Sequence, residues 1–242
     1  MTDGRSSVAA RLRRQRDGCG LLGSPLYAGL LDRCVEDVER GGPVWRVLEP
    51  FAGWSEGSAY PLRLMGAVNR LVMTGAAPAL APHFAPGGDA DAAWEPFLAF
   101  VESGRDEVQW IALECPVQTN EVGRCAALAP AFLWIAGGRP LRLLEIGGSA
   151  GLNLRWDHYR YEDLWGDPES RVRLVDRYEG TPPPFSPASA DVIERRGCDR
   201  APVDAATDHG ALTLLSYVWP DQAERVDLLR GAIGRASCRE RV

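Results

Sequence analysis

Apolar residues in the first half of the chain recur every three or four positions, the period of helices buried on one face. Leu26, Leu30, Leu31 and Cys34 form one such stripe, with Ser24 and Pro25 ahead of it as N-cap and first turn. Leu62, Leu64, Met65, Val68, Leu71 and Val72 form a second, which predicts a helix over residues 60–73. The loop at 85–90, with Pro86, Gly87 and Gly88, separates it from a helix over 94–101. A last helix is expected from near Asn120, kinked at Pro130 and stopped by Gly137 and Gly138. The pattern therefore predicts an all-helical N-terminal domain over residues 6–139, without internal repeats.

The pattern changes at Pro140. Residues 141–146 are an apolar run interrupted by Arg142; a glycine-rich turn follows, and then a helical stretch from Ala150. Strand, glycine turn and helix open a nucleotide-type domain, so the predicted fold class is α/β. Residues 140–232 read as the start of a Rossmann-like domain whose later strands are missing. Two further strand-like runs, 172–178 and 191–197, are joined by a linker holding Pro182, Pro183, Pro184 and Pro187. Such a linker cannot form a crossover helix, so the two runs are expected to make an antiparallel hairpin or insertion. Residues 211–218 fit strand and helix equally well.

Composition narrows the function. The net charge of −6 lacks the basic footprint of a general nucleic-acid binder. All 27 basic residues are arginine, which excludes a lysine Schiff base, a lysine general base and a Walker-type phosphate loop. The six cysteines at 19, 34, 115, 125, 198 and 238 show no zinc-ligand spacing and read as reduced thiols. The arginine-rich N-terminus has no apolar core behind it, and the uncharged stretch 71–88 is broken by Pro78, Pro82 and Pro86. These features predict a cytoplasmic protein acting on a small molecule, with neither membrane nor nucleic acid as partner. Residues 233–242 look like the translation of a sequencing-library adapter. They read as a non-native tail, Cys238 included, on a natural chain that continues beyond about residue 232.

The densest chemical signal is the stretch Leu144, Glu145, Ile146, Gly147, Gly148, Ser149, Ala150, Gly151. The dinucleotide pattern fails, because Gly147 is not followed by glycine at the right intervals. The nucleophile-elbow pattern fits formally, with Ser149 at its centre, yet only His158 and His209 follow as bases. The stretch also resembles the first motif of S-adenosylmethionine-dependent methyltransferases, matched by Glu145, Gly147 and Gly151, with Ser149 in place of the middle glycine. A tight turn without ligand is the remaining reading.

Asp199 resembles the second methyltransferase motif, where an acid at a strand end accepts hydrogen bonds from the ribose hydroxyls. The interval from Gly151 to Asp199 is 48 residues against about 20 in dinucleotide folds, an excess that an insertion at 161–190 explains. Asp176 competes for the same role, and an Asx turn before Pro202 accounts for Asp199 without a ligand. The segment Val117 to Arg124, the glycine loop, Arg196 to Asp199, and Trp219, Pro220, Asp221 and Gln222 together resemble a bacterial, actinobacterial-type family of uncharacterised proteins, domain of unknown function 2332. The resemblance covers about residues 8–232 and implies no established activity.

Two other clusters carry candidate substrate contacts. Asn120 reads as an N-cap with Glu121 suiting the helix dipole, or as a substrate contact; Arg124, one turn on, suits a carboxylate or phosphate. Trp219 and Asp221 read as a helix start or as a pocket lining. The favoured expectation is a methyltransferase-like enzyme that binds S-adenosylmethionine through Glu145, Gly147, Ser149, Gly151 and Asp199, with the general base unassigned. A serine hydrolase using Ser149 and a non-catalytic nucleoside-binding domain are the alternatives.

Overall fold

The computed structural model describes residues 4–186 and 189–236, which divide into two compact units. One unit holds the chain up to Val117 together with Ser216–Ala223; the other holds Gln118–Leu215 and the chain from Glu224 onward. The sequence places a boundary at Pro140; the compact units divide after Val117, and the helix that follows Arg124 packs on the segment after the glycine loop.

The first unit is built from helices. They are α1 (Gly4–Leu21), α2 (Pro25–Arg40), α3 (Pro43–Leu48), α4 (Tyr60–Met73), α5 (Ala90–Ser103) and α6 (Arg105–Glu114). The stripe read from sequence in α2 is buried as Leu26, Leu30, Leu31 and Cys34, joined by Tyr27, Val35 and Val38. Ser24 Oγ accepts from Tyr27 N, Pro25 occupies the first turn, and Gly41 ends the helix in a left-handed conformation. The stripe of α4 packs into the same core as Leu64, Met65, Val68 and Leu71. Each such side chain contributes about 1.5–3 kcal/mol when fully buried.

The second unit mixes strands with helices, which makes the chain α/β. It holds α7 (Cys125–Ala136), β1 (Leu141–Ile146), β2 (Arg160–Tyr161), β3 (Trp165–Gly166), β4 (Arg173–Leu174), β5 (Val192–Cys198), most of α8 (Asp208–Ser216) and α9 (Ala223–Ala236). β1 and β5 pair in parallel, Ile146 opposite Cys198. β2 lies between an antiparallel β3 and a parallel β4.

Two expectations are corrected here, and one left open is settled. The runs at 172–178 and 191–197 do not pair with each other: the first joins β2 and the second joins β1. The glycine loop is followed by a seven-residue 3-10 helix, Leu152–His158, in place of an α-helix. Its bend at Arg155 is fixed from below by buried aromatics: Trp156 stacks on Trp165 with centroids 5.5 Å apart, and Tyr159 and Tyr161 donate to Leu152 O and Trp156 O. The segment 211–218 is helical as far as Ser216. Of the tail read as non-native, residues 233–236 continue α9; the rest, with Cys238, lies outside the described residues.

Candidate functional site

The glycine loop leaves β1 at its carboxyl end and is held by the end of the neighbouring strand. Gly147 N and Gly148 N both donate to Cys198 O, at 2.8 and 3.1 Å. Gly147 and Gly151 have φ of +73° and +67°, which glycine adopts without a Cβ penalty. Ser149 shares this left-handed backbone at φ +52°, where a side chain costs energy, and three bonds hold it there. Its N–H donates to Asp199 Oδ2 at 2.8 Å, its hydroxyl to Gln118 Oε1 at 2.6 Å, and its carbonyl accepts from Val203 N at 3.2 Å.

Asp199 follows β5 directly, and its second oxygen accepts from Ala201 N at 2.9 Å. Gln118 Nε2 donates to Ala201 O at 2.8 Å, closing a ring of bonds through Ser149, Asp199, Ala201 and Gln118. Asn120 Oδ1 accepts from Leu152 N at 3.0 Å and so secures the far end of the loop. Of the five buried polar residues in this unit among the described residues, four surround the loop: Gln118, Asn120, Ser149 and Asn153. Burying such groups costs free energy unless each is bonded: Ser149 bonds Gln118, Asn120 the end of the loop, and Asn153 accepts from Cys125 Sγ.

Glu145 lies half-buried beneath the loop, and its Oε2 is buried without a hydrogen-bond partner. Burial pushes its carboxyl up, while Asn153 and the exposed Arg124 pull it back. Burial also pushes the Cys125 thiol up to about 12, and its Sγ donates to Asn153 Oδ1, so it is no thiolate nucleophile.

The structure thus gathers Glu145, Gly147, Ser149, Gly151, Asp199, Asn120 and Arg124 within one unit, and places Trp219 and Asp221 in the other. Asn120 is not the N-cap read from sequence. Glu121 takes that position, accepting from Gly123 N at the start of a 3-10 turn, and pairs with Arg225. Trp219 packs against Tyr27 in the helical core, and Asp221 accepts from Ser24 Oγ and Leu26 N. Sequence reasoning grouped Gln118 with Asn120 as a helix start or substrate contact, not as a brace of the glycine loop, and did not single out Asn153. A buried amide that braces a distant loop leaves no local pattern.

Asp199 makes a pH-dependent contribution. The N–H groups of Ala201 and Ser149 hold its carboxyl below the usual range. A carboxyl depressed in the folded state adds stability that is present above its unfolded pKa and lost as pH falls through the folded one. The difference in urea midpoint between wild type and Asp199→Asn is expected to shrink as pH drops from about 5 to 3. A difference that stays constant over that range contradicts this role.

Fold and site together define an α/β protein whose glycine loop stands at the carboxyl ends of a parallel strand pair. The chain belongs to the family described as uncharacterized protein conserved in bacteria (DUF2332), whose model matches residues 9–240. No curated protein and no solved structure matches it. Among the described residues, no helix is long and apolar enough to cross a membrane.

Proposed function

We propose that the chain is a methyltransferase-like protein that binds S-adenosylmethionine at the glycine loop of a Rossmann-like second domain and acts on a small molecule. One observation carries the reading: the loop after β1 and Asp199 after β5 lie side by side at the carboxyl ends of neighbouring parallel strands, joined by the Ser149–Asp199 bond. Ligands of open α/β sheets bind at that edge.

The residues present fit the group. Each Asp199 oxygen takes one backbone N–H and keeps acceptor capacity for the vicinal hydroxyls of a ribose. The orphaned Glu145 Oε2 is satisfied by a cationic group laid beside it. A Cβ built on Gly147 meets nothing within 4 Å, so the loop backbone faces open space. Arg124 is exposed on the same unit and suits a ligand carboxylate or phosphate. Because the following helix is a short 3-10 segment, binding rests on close approach to the loop and on side chains and not on a helix dipole. The cofactor supplies an electrophilic methyl on a sulfonium, and the chain contributes positioning and electrostatics. Asn120 and Gln118 act on the ligand through the loop they brace. Trp219 and Asp221, engaged in the helical unit, have no part in this reading.

The hydrolase alternative has less support. Ser149 Oγ donates to the side-chain amide oxygen of Gln118, which is not a base. Calorimetry with S-adenosylhomocysteine tests the proposal. The wild type is expected to bind, Asp199→Ala to bind roughly 10- to 100-fold more weakly, and Ser149→Ala to lose less. A folded chain that binds no nucleoside overturns the reading, and fluorophosphonate labelling of Ser149 replaces it with the hydrolase. Binding without transfer to any acceptor leaves a nucleoside-binding domain.

A further inference from the structure

The helical unit carries a cavity of about 280 Å³, lined by Arg11, Arg14, Gln15, Ala59, Tyr60 and Pro61. Three of these come from consecutive turns of α1, and the other three from the entry into α4. Two features set it apart from an ordinary surface groove. First, Tyr60 is 1% exposed, yet its hydroxyl is buried without a hydrogen-bond partner. A buried hydroxyl without a partner destabilises the fold, a cost that a bound acceptor removes.

Second, among the described residues the charge of Arg11 is not matched by an acid. Its neighbours on α1 are: Arg13 pairs with Glu39, and Arg16 with Asp17 and Asp32. Arg11 spends its guanidinium on main-chain oxygens, donating to Ser55 O at 2.8 Å and Trp54 O at 2.6 Å, and lies over the Tyr60 ring at 5.2 Å. Burial pushes the Tyr60 phenol up, and the charges of Arg11 and Arg14 act on it in the opposite direction.

We propose that this cavity binds a small phosphate monoester, with Arg11 and Arg14 taking the phosphate oxygens, Tyr60 and Gln15 donating to them, and Ala59 and Pro61 covering the organic group. Guanidinium groups match a phosphate in charge and in fork geometry, and several phosphate oxygens can engage several donors at once. The cavity has room for more than the phosphate itself. The Tyr60 hydroxyl, buried in this structure, reaches the ligand when the Arg11 side chain over its ring turns toward the anion. The site is independent of the glycine loop and needs no nucleoside.

Titration of the full chain with phenyl phosphate, inorganic phosphate and benzoate, followed by calorimetry and by thermal midpoint, tests this. Saturable binding is expected for phenyl phosphate, with inorganic phosphate weaker and benzoate weakest. Arg11→Met is expected to weaken phenyl phosphate roughly tenfold or more, and Tyr60→Phe roughly fivefold. Arg11→Met also removes two bonds to the 54–55 loop and lowers stability by itself. Tyr60→Phe is therefore the deciding variant: without ligand it keeps or raises the thermal midpoint, because it deletes an unsatisfied hydroxyl, and with ligand it shows a smaller shift. Ser149→Ala leaves phosphate binding unchanged. Absence of saturable binding, or binding unaltered in Tyr60→Phe and Arg11→Met, overturns the proposal; benzoate binding as tightly as phenyl phosphate overturns the assignment to a phosphate.

Discussion

Gly147→Val is expected to abolish S-adenosylhomocysteine binding while preserving the far-UV helical signal of the protein. The cause is the backbone, not lack of room. At φ +73° a β-branched residue is strained by roughly 1–3 kcal/mol, although its Cβ would meet nothing within 4 Å. The loop relieves that strain by rotating Gly147 toward negative φ. Doing so pulls Gly147 N and Gly148 N from Cys198 O and carries Ser149 N away from Asp199. Both halves of the proposed cofactor site then separate together. Gly148→Ala makes the contrast: Gly148 has no positive φ, and its new Cβ would stand 3.3 Å from Glu145 Oε2. That substitution is expected to weaken binding of the cationic ligand by crowding the carboxylate, without unfolding the loop. Nucleoside binding that survives Gly147→Val at wild-type strength sinks the loop assignment.

Where the sequence was informative, the determining forces were local. The α2 and α4 stripes and the Ser24–Pro25 start are set by residues within one or two turns of each other, so periodicity and capping chemistry show them directly. The glycine loop was legible for the same reason: left-handed φ at Gly147 and Gly151 is a property of those residues. Partners across long separations were not legible. The strand at 191–197 reads from sequence as one arm of a hairpin, and only its distant partner β1, while β4 joins β2, decides the matter. The α-helix expected after Ala150 fails at Arg155, where the aromatic layer under Trp156 outweighs helix propensity. The loop's braces, Gln118 and Asn120, reach it across 31 and 32 residues, a distance at which a polar side chain has no periodic signature.

Asp221 shows the same limit with the largest expected effect on stability. In sequence Trp219, Pro220 and Asp221 read as the start of the helix that follows them. In the structure the carboxylate instead reaches back 195 residues to the start of α2, accepting from Leu26 N at 3.1 Å and from Ser24 Oγ at 2.8 and 2.9 Å. Ser24 is fully buried, and its hydroxyl also accepts from Tyr27 N, so one carboxylate completes the capping of the core helix. Asp221→Ala leaves a buried hydroxyl and a helix N–H without their acceptor and is expected to destabilise the protein by about 2–4 kcal/mol in urea unfolding. Asp221→Asn keeps an acceptor oxygen and is expected to recover about half of that loss. If the carboxylate acts through Ser24, the effects of Asp221→Ala and Ser24→Ala are not additive, and the double variant is little worse than Asp221→Ala alone. A loss below about 0.5 kcal/mol for Asp221→Ala, the range of ordinary surface substitutions, contradicts the assignment.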